Sequence, residues 1–276
     1  MKTSSLKTNF KAWLSAATAK LEHSGIGTAR LDSLVLLADE LKRDKAWILA
    51  HPETELTGAQ AENLAKKLVR RSGHEPLSYI RRRSEFYGRE FSVTSAVLQP
   101  RPESETMIDM LGQLSLPKNP VFVDVGTGCG ALAITAKLEL PKSQVIAIDI
   151  DPLCLKIARQ NARKHRVEIK FQQGNLLDLV LSAPHIDVIL ANLPYIPDGW
   201  QISEAAGREP RLAIFGGGDG LLLYRAIFKQ LSEISTPPRF VLTESMPPQH
   251  KKLRAIAQKS DYLAKDEQDF IQLFQK

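Results

Sequence analysis

An α/β fold, doubly wound around a mostly parallel sheet and preceded by a small helical bundle, is predicted by three observations on this chain. From Pro120 onward, short apolar strand signals alternate with helix signals, as in a parallel sheet covered by helices. The first of these strands runs directly into the glycine turn Gly126-Thr127-Gly128-Cys129-Gly130. A later strand, 186–190, stops at Ala191-Asn192-Leu193-Pro194-Tyr195-Ile196-Pro197. Proline cannot continue a central strand, so the chain leaves the sheet there, at the edge where open α/β folds hold ligands.

Residues 1–73 carry helical periodicity alone and are expected to form a separate helical domain. Phe10, Trp13, Leu14, Ala17 and Leu21 share one stripe and stop at Ser24-Gly25. Thr28 is placed to cap a second helix carrying Leu31, Leu34, Val35, Ala38 and Leu41, and Thr57 a third carrying Ala61, Leu64, Ala65 and Leu68. From Glu75 the pattern loosens. The stretches 76–80 and 86–93 suggest two short strands joined as a hairpin, so 74–100 is expected to be a β-hairpin connector. Pro100-Arg101-Pro102 stiffens its exit, and Glu103-Ser104-Glu105 should open a helix through Met107, Ile108 and Leu111, with acids favourably placed in its first turn.

The third domain is expected over 101–276. Strands are predicted at 121–125, 145–149, 169–171, 187–191 and 240–244, with helices at 131–138, at 152–165 and after Asp219. The alternating end, 270–274, suggests an antiparallel edge strand.

Composition bounds the function. The chain has 276 residues, 43% of them hydrophobic, and no run approaching the roughly 20 apolar residues that span a bilayer. No secretory signal is read at Met1-Lys2-Thr3-Ser4-Ser5-Leu6-Lys7. Two cysteines cannot build a disulfide framework, and six scattered histidines show no ligand spacing, so a reduced cytoplasmic protein with no metal site is expected. The net charge of +6 arises mostly before residue 101, which suits an acidic partner and equally suits solvated helix faces.

The glycine turn allows close approach of a ligand where amides at a helix start are expected to be unpaired. Asp149, ending the second strand, stands where an acid binds a ribose diol. Dinucleotide binding competes with this reading, but its usual fingerprint is G-x-G-x-x-G. Here Asp124 precedes Gly126, Gly128 and Gly130, and D-x-G-x-G-x-G resembles motif I of class I S-adenosylmethionine methyltransferases. That resemblance puts Asp124 near the methionine moiety and Asp149 on the ribose. It adds Thr127 and Cys129 of the turn, Asn175 and Leu176 after the third strand, and Asn192 to the cofactor site.

Asn192-Leu193-Pro194-Tyr195 resembles the Asn-x-Pro-Tyr motif of enzymes that methylate a planar nitrogen. The lone pair of such a nitrogen is delocalised, so it is a poor nucleophile. Two acceptors, the Asn192 side-chain carbonyl and the Leu193 backbone carbonyl, can bind both N–H bonds and favour the charge that grows on transfer. The Tyr195 ring can cover the planar group. Glu75-Pro76-Leu77-Ser78-Tyr79-Ile80 with Phe86-Tyr87-Gly88, Leu98-Gln99-Pro100-Arg101-Pro102-Glu103-Ser104-Glu105, and Glu209-Pro210-Arg211-Leu212-Ala213 with Gly217-Gly218-Asp219-Gly220-Leu221 together resemble the HemK/PrmC family over about the whole chain. That family implies N5-methylation of the glutamine in the Gly-Gly-Gln tripeptide of peptide chain release factors. It makes Asn192, Leu193, Pro194 and Tyr195 the catalytic stretch and gives residues 1–73 a role in recognising the factor. It requires neither direct contact with nucleic acid nor a membrane. The chain departs from the family pattern at Leu193, where proline is usual, at Asn175 in place of aspartate, and at Glu244-Ser245-Met246 in place of Glu-x-Gly. The competing functions are methylation of a ribosomal-protein glutamine, adenine-N6 methylation of ribosomal RNA, for which Asn-Leu-Pro-Tyr is a typical form, and a non-catalytic binding module.

Overall fold

The computed structural model describes residues 8–180 and 185–276. They fall into two compact units: the chain up to Arg82 together with Ser203–Arg208, and Arg83–Ile202 together with Glu209–Lys276. The expected connector therefore contributes to both units.

The first unit is helical: α1 (Phe10–His23), α2 (Ala29–Leu41), α3 (Lys45–Ala50), α4 (Gly58–Ser72) and α5 (Leu77–Arg81). Local chemistry sets most starts. Asn9 accepts the Ala12 amide at 2.9 Å, and Thr57 and Gln60 form a reciprocal capping box. Three expectations need correction. Thr28 stands before α2 but makes no side-chain cap, and the buried face of α2 is Ala29, Asp32, Ser33, Leu36, Leu37 and Ala38, with Leu31 exposed. The helix is apolar on nearly every side, so periodicity alone cannot choose its inner face. The choice follows a buried ion pair, Arg71 Nε to Asp32 Oδ2 at 2.7 Å, because a buried charge must meet its partner. The expected strand at 76–80 is instead α5. Pro76 begins it, Arg82 ends it with φ of +58°, and Ile80 joins the helical core.

The second unit opens with the hairpin β1 (Arg83–Phe86) and β2 (Arg89–Ser92). Tyr87 and Gly88 both have positive φ, the twist that a two-residue hairpin turn requires. There follow α6 (Glu105–Gly112), β3 (Val121–Val125), α7 (Ala131–Glu139), β4 (Gln144–Asp149), α8 (Pro152–His165), β5 (Lys170–Gln173), β6 (Val188–Ala191), α9 (Leu222–Glu233), β7 (Phe240–Glu244), α10 (His250–Gln258), β8 (Leu263–Gln268) and β9 (Ile271–Gln275). The hairpin is fastened by Asn161 of α8, whose Oδ1 accepts the Ser92 amide at 2.7 Å. Its Nδ2 donates to the carbonyls of Ser92 (3.0 Å) and Cys129 (2.9 Å).

The sheet order is β5-β4-β3-β6-β7-β9-β8. Strands β3 to β7 are parallel, and β9 runs antiparallel to β7 and β8. The antiparallel edge is thus a hairpin. The terminal strand read as its edge is the inner, buried member, and α10 and β8 went unread. Exposed nearly throughout, the β8 stretch Leu263-Ala264-Lys265-Asp266-Glu267-Gln268 offers no alternation to detect. Chain progression reverses between β3 and β6, a switch point at whose carboxyl end this class of sheet forms its crevice. Residues after β3 and β6 therefore meet there.

Candidate functional site

Gly126 has φ of +74°, and a Cβ on it would stand 3.1 Å from Leu193 Cδ2. The glycine turn and the turn after β6 therefore lie close together, and the positive φ favours glycine at the approach. Leu193 is buried, while Asn192, Pro194 and Tyr195 are half-buried.

The turn differs from expectation in one respect that matters chemically. Its amides are largely engaged: Gly126 and Thr127 N–H both donate to the Ile148 carbonyl (2.9 Å each), Gly128 N–H to Asp149 Oδ2 (2.8 Å), and Gly130 N–H to the Thr127 carbonyl (2.8 Å). The end of β4 lies beside the turn and satisfies it. A pyrophosphate would need those amides free. The turn fits a ligand without phosphate, and the dinucleotide alternative loses its main support.

Asp124 is buried on β3. Its Oδ2 accepts the Thr127 hydroxyl at 2.6 Å and the Ala133 amide at 3.2 Å, whereas Oδ1 is buried with no partner. Burial pushes its carboxyl up to about 7, against the pull of those two donors. An orphaned buried acceptor of this kind awaits a donor, preferably a cationic one. Asp149 accepts Gly128 N–H on Oδ2 and Asp151 N–H on Oδ1 at 2.9 Å. Each carboxylate oxygen retains acceptor capacity for a hydroxyl. Burial raises Asp149 as well. Cys129 and Cys154 are both buried and free, and burial pushes the Cys129 thiol up to about 12, which removes it as a nucleophile. Asn175 is exposed and Leu176 is buried with φ of +51°. Both follow β5, two strands from β3.

The Asn192 amide nitrogen donates to Ser104 Oγ at 2.8 Å and to Glu244 Oε2 at 2.9 Å. No hydrogen bond to its Oδ1 is found among the described residues. The Tyr195 hydroxyl donates to Glu244 Oε1 at 3.1 Å, and burial together with that carboxylate pushes its phenol far above the usual range. Tyr195 therefore presents a ring and not a base. The Leu193 N–H donates to the Tyr224 hydroxyl at 3.1 Å. That hydroxyl has one proton and makes its shortest contact with the Glu244 carbonyl, lying 3.4 Å from the Leu193 carbonyl. The Leu193 carbonyl thus remains available to a ligand.

Other motif stretches converge here. Glu209 is buried, accepting from Arg101 Nη2 at 2.5 Å and from the Gln99 amide at 3.3 Å. The glycine run 216–220 pairs with the turn: Ile196 N–H donates to the Ile214 carbonyl (3.0 Å) and Gly216 N–H to the Ile196 carbonyl (2.9 Å). A Cβ on Gly220 would lie 2.0 Å from the Tyr195 carbonyl, so no other residue fits there. Sequence reasoning missed Ser104, Tyr224 and Gln249, whose Nε2 donates to the Tyr195 carbonyl at 2.7 Å. It placed Glu244 only at the end of the fifth expected strand and in the stretch Glu244-Ser245-Met246, which departs from Glu-x-Gly at Met246. One signal was available: Glu244, like Asp124 and Asp149, is an acid at the carboxyl end of an otherwise apolar strand.

Among the described residues no group of three His, Cys, Asp or Glu could hold a metal ion, and no helix is long and apolar enough to cross a membrane. The family model described as the PrmC N-terminal domain matches residues 12–81, and one described as a methyltransferase domain matches 116–233. The release factor glutamine methyltransferase of Koribacter versatilis (strain Ellin345) is 34% identical over 235 residues, covering 83% of both chains. That of Coxiella burnetii (strain RSA 493 / Nine Mile phase I) is 33% identical over 238 residues, covering 85% of both. A solved methyltransferase from Pyrococcus furiosus superposes with a TM-score of 0.51 at 17% identity, over 80% of this chain and 99% of that one, a likeness of fold.

Proposed function

The chain belongs to the release factor glutamine methyltransferase family, and from that premise we propose that it methylates the side-chain amide nitrogen, N5, of the glutamine in the Gly-Gly-Gln tripeptide of peptide chain release factors, in the cytoplasm. The observation that carries this reading is Asn192, at the switch point, with its amide nitrogen held from behind and no hydrogen bond to its oxygen among the described residues.

The residues fit S-adenosylmethionine, which when bound supplies an electrophilic methyl group. Asp124 Oδ1 is an unfilled buried acceptor suited to its ammonium, Asp149 suits its ribose diol, and the closed amides of the glycine turn suit a molecule lacking phosphate. Asn192 Oδ1 and the Leu193 carbonyl each accept one N–H of the glutamine amide and aim its nitrogen, while the Tyr195 ring covers the amide plane. Held in this way, the amide nitrogen would take the methyl group, the new N–C bond replacing the cofactor's S–C bond with that bond's electron pair left on sulfur. The nitrogen then releases one proton to water. No strong base is needed, because the N–H becomes acidic as the bond forms.

The helical unit is assigned recognition of the body of the release factor, since a Gly-Gly-Gln loop offers few contacts by itself. The test uses labelled S-adenosylmethionine with an intact release factor, the same factor carrying Gln→Ala in its tripeptide, and ribosomal RNA. Label on the intact factor alone is expected. Label on the RNA, or on the altered factor, overturns the assignment.

A further inference from the structure

An amide side chain has nearly the same shape with its oxygen and nitrogen exchanged, so which one faces a ligand is decided by the partner behind it. Behind Asn192 stands Glu244, buried at the end of β7. Three donors converge on its two oxygens: Ser104 Oγ at 2.5 Å and Asn192 Nδ2 at 2.9 Å on Oε2, and the Tyr195 hydroxyl at 3.1 Å on Oε1. Asn192 Nδ2 also donates to Ser104 Oγ at 2.8 Å, so donating to the carboxylate leaves the hydroxyl an acceptor toward the amide. A carboxylate can only accept. Facing one, Asn192 must turn its nitrogen inward and its oxygen away.

We propose that Glu244 is the positioning residue that sets the facing of the Asn192 amide, and that only its ionised form keeps Oδ1 presented to a substrate amide. The proposal rests on the reading of Asn192 as the acceptor for a glutamine amide. A proton on Glu244 places a fourth hydrogen among three donors, so one of Ser104, Asn192 or Tyr195 must turn away. The titratable groups facing Glu244 are Glu103 from the turn before α6, Tyr195 from the loop after β6, and Tyr224 from α9. Burial, the largest influence, and Glu103 both raise its carboxyl, and the three donors oppose them. Protonation therefore sets in above the ordinary carboxylate range. Glu244→Gln keeps the shape but adds donors, so it lets Asn192 flip and offer Nδ2 to a substrate that brings only N–H on that side.

At saturating S-adenosylmethionine, where turnover reports groups in the bound complex, the wild type should show an acid limb in kcat that Glu244→Gln lacks. The variant's plateau should fall by about 100-fold, the scale for losing one oriented polar group at a reacting centre. Its cofactor affinity by calorimetry should stay within about twofold, because Glu244 shares no hydrogen bond with Asp124 or Asp149 among the described residues. Wild-type kcat in the variant, or an unchanged acid limb, overturns the proposal. Should Glu244→Gln not fold, Ser104→Ala removes a hydrogen bond that favours the ionised form and should move the acid limb to higher pH; an unmoved limb overturns it equally. A readout independent of substrate is the Asn192 side-chain amide resonance in 15N-labelled wild type. Its two protons should be protected from exchange and should shift with the ionisation of Glu244, and a pH-invariant, rapidly exchanging amide overturns the proposal even if no release factor is methylated. Absence of methylation by the wild type, with the resonance behaving as expected, defeats the functional assignment alone.

Discussion

Asp124 on β3 and Glu244 on β7 flank β6 in the sheet, and both are buried acids that desolvation raises above the ordinary carboxylate range. Their hydrogen bonding differs. Glu244 has donors on both oxygens, two of them from the turn that follows β6. Asp124 has two donors on one oxygen and none on the other. Leaving a buried acceptor unpaired costs on the order of 1–3 kcal/mol, a cost that a fold retains where a ligand fills the vacancy. Glu244, with three side-chain donors on its two oxygens, serves by holding its neighbours. On the proposed reading the first acid meets the cofactor and the second holds the residues that meet the substrate.

The largest expected effect breaks the second half of that contrast. Asn192→Ala removes the acceptor that Glu244 holds, and turnover on a release factor should drop by at least about 10²–10³-fold, with cofactor affinity by calorimetry changed little. Near-normal turnover would show that the held amide is not the working one.

Next in size, Asp124→Asn should weaken S-adenosylmethionine binding by roughly 10- to 100-fold, since a hydrogen bond to a charged group is worth about 1.5–3 kcal/mol. The same substitution sharpens the contrast through stability. A carboxyl raised from 3.8 to about 7 in the folded state contributes stability that is full below its unfolded pKa and is lost as pH rises through its folded one. The unliganded variant should therefore match the wild type in Tm near pH 4 and exceed it at pH 8. A Tm difference independent of pH would mean that Asp124 is not the strained acid inferred here. Asp149→Ala should weaken cofactor binding by about 10-fold, toward the low end of the same range, because its oxygens are already shared with Gly128 and Asp151; calorimetry on the folded variant measures this.

The smallest effect concerns Leu193. Proline there keeps the carbonyl and stiffens the turn, which argues for tolerance. The structure adds that the Leu193 N–H bonds the Tyr224 hydroxyl, a bond proline would delete. Leu193→Pro should lose about 1 kcal/mol of stability in denaturant melts while turnover changes by less than about threefold, a difference of some 0.7 kcal/mol. A large loss of turnover with full stability would place the Leu193 side chain in the chemistry.

Much of this was legible in the residues. Asp124 within β3, Asp149 at the end of β4 and Asn192 just after β6 stand out because a polar group in or beside an apolar run is a local anomaly. The cap at Thr57 is local too, whereas the hairpin expected to join 76–80 to 86–93 turns instead at Tyr87-Gly88, inside its expected second strand. The inner face of α2 was not legible, because every side of that helix is apolar enough to be buried and the deciding group, Arg71, arrives from another helix. Nor was α5 readable: five residues carry too little periodicity, and Leu77-Ser78-Tyr79-Ile80 is as good a strand as a helix until Ile80 finds its core.

The sequence by itself determined the succession of strands and helices from β3 to β7, the place of the crevice and the identity of the groups at its edge, since these follow from periodicity and from where proline and glycine permit the chain to turn. Only the tertiary structure decided which atoms of those groups are free. The amides of the glycine turn are engaged because β4 ends beside them, and Asp124 keeps one oxygen bare because its neighbours reach only the other. Asn192 shows its oxygen because Glu244, Ser104 and the amide itself, separated by 52, 88 and 140 positions in the chain, are brought within hydrogen-bonding distance. A hydrogen bond is a property of two groups in space, and no stretch of sequence contains both partners of these.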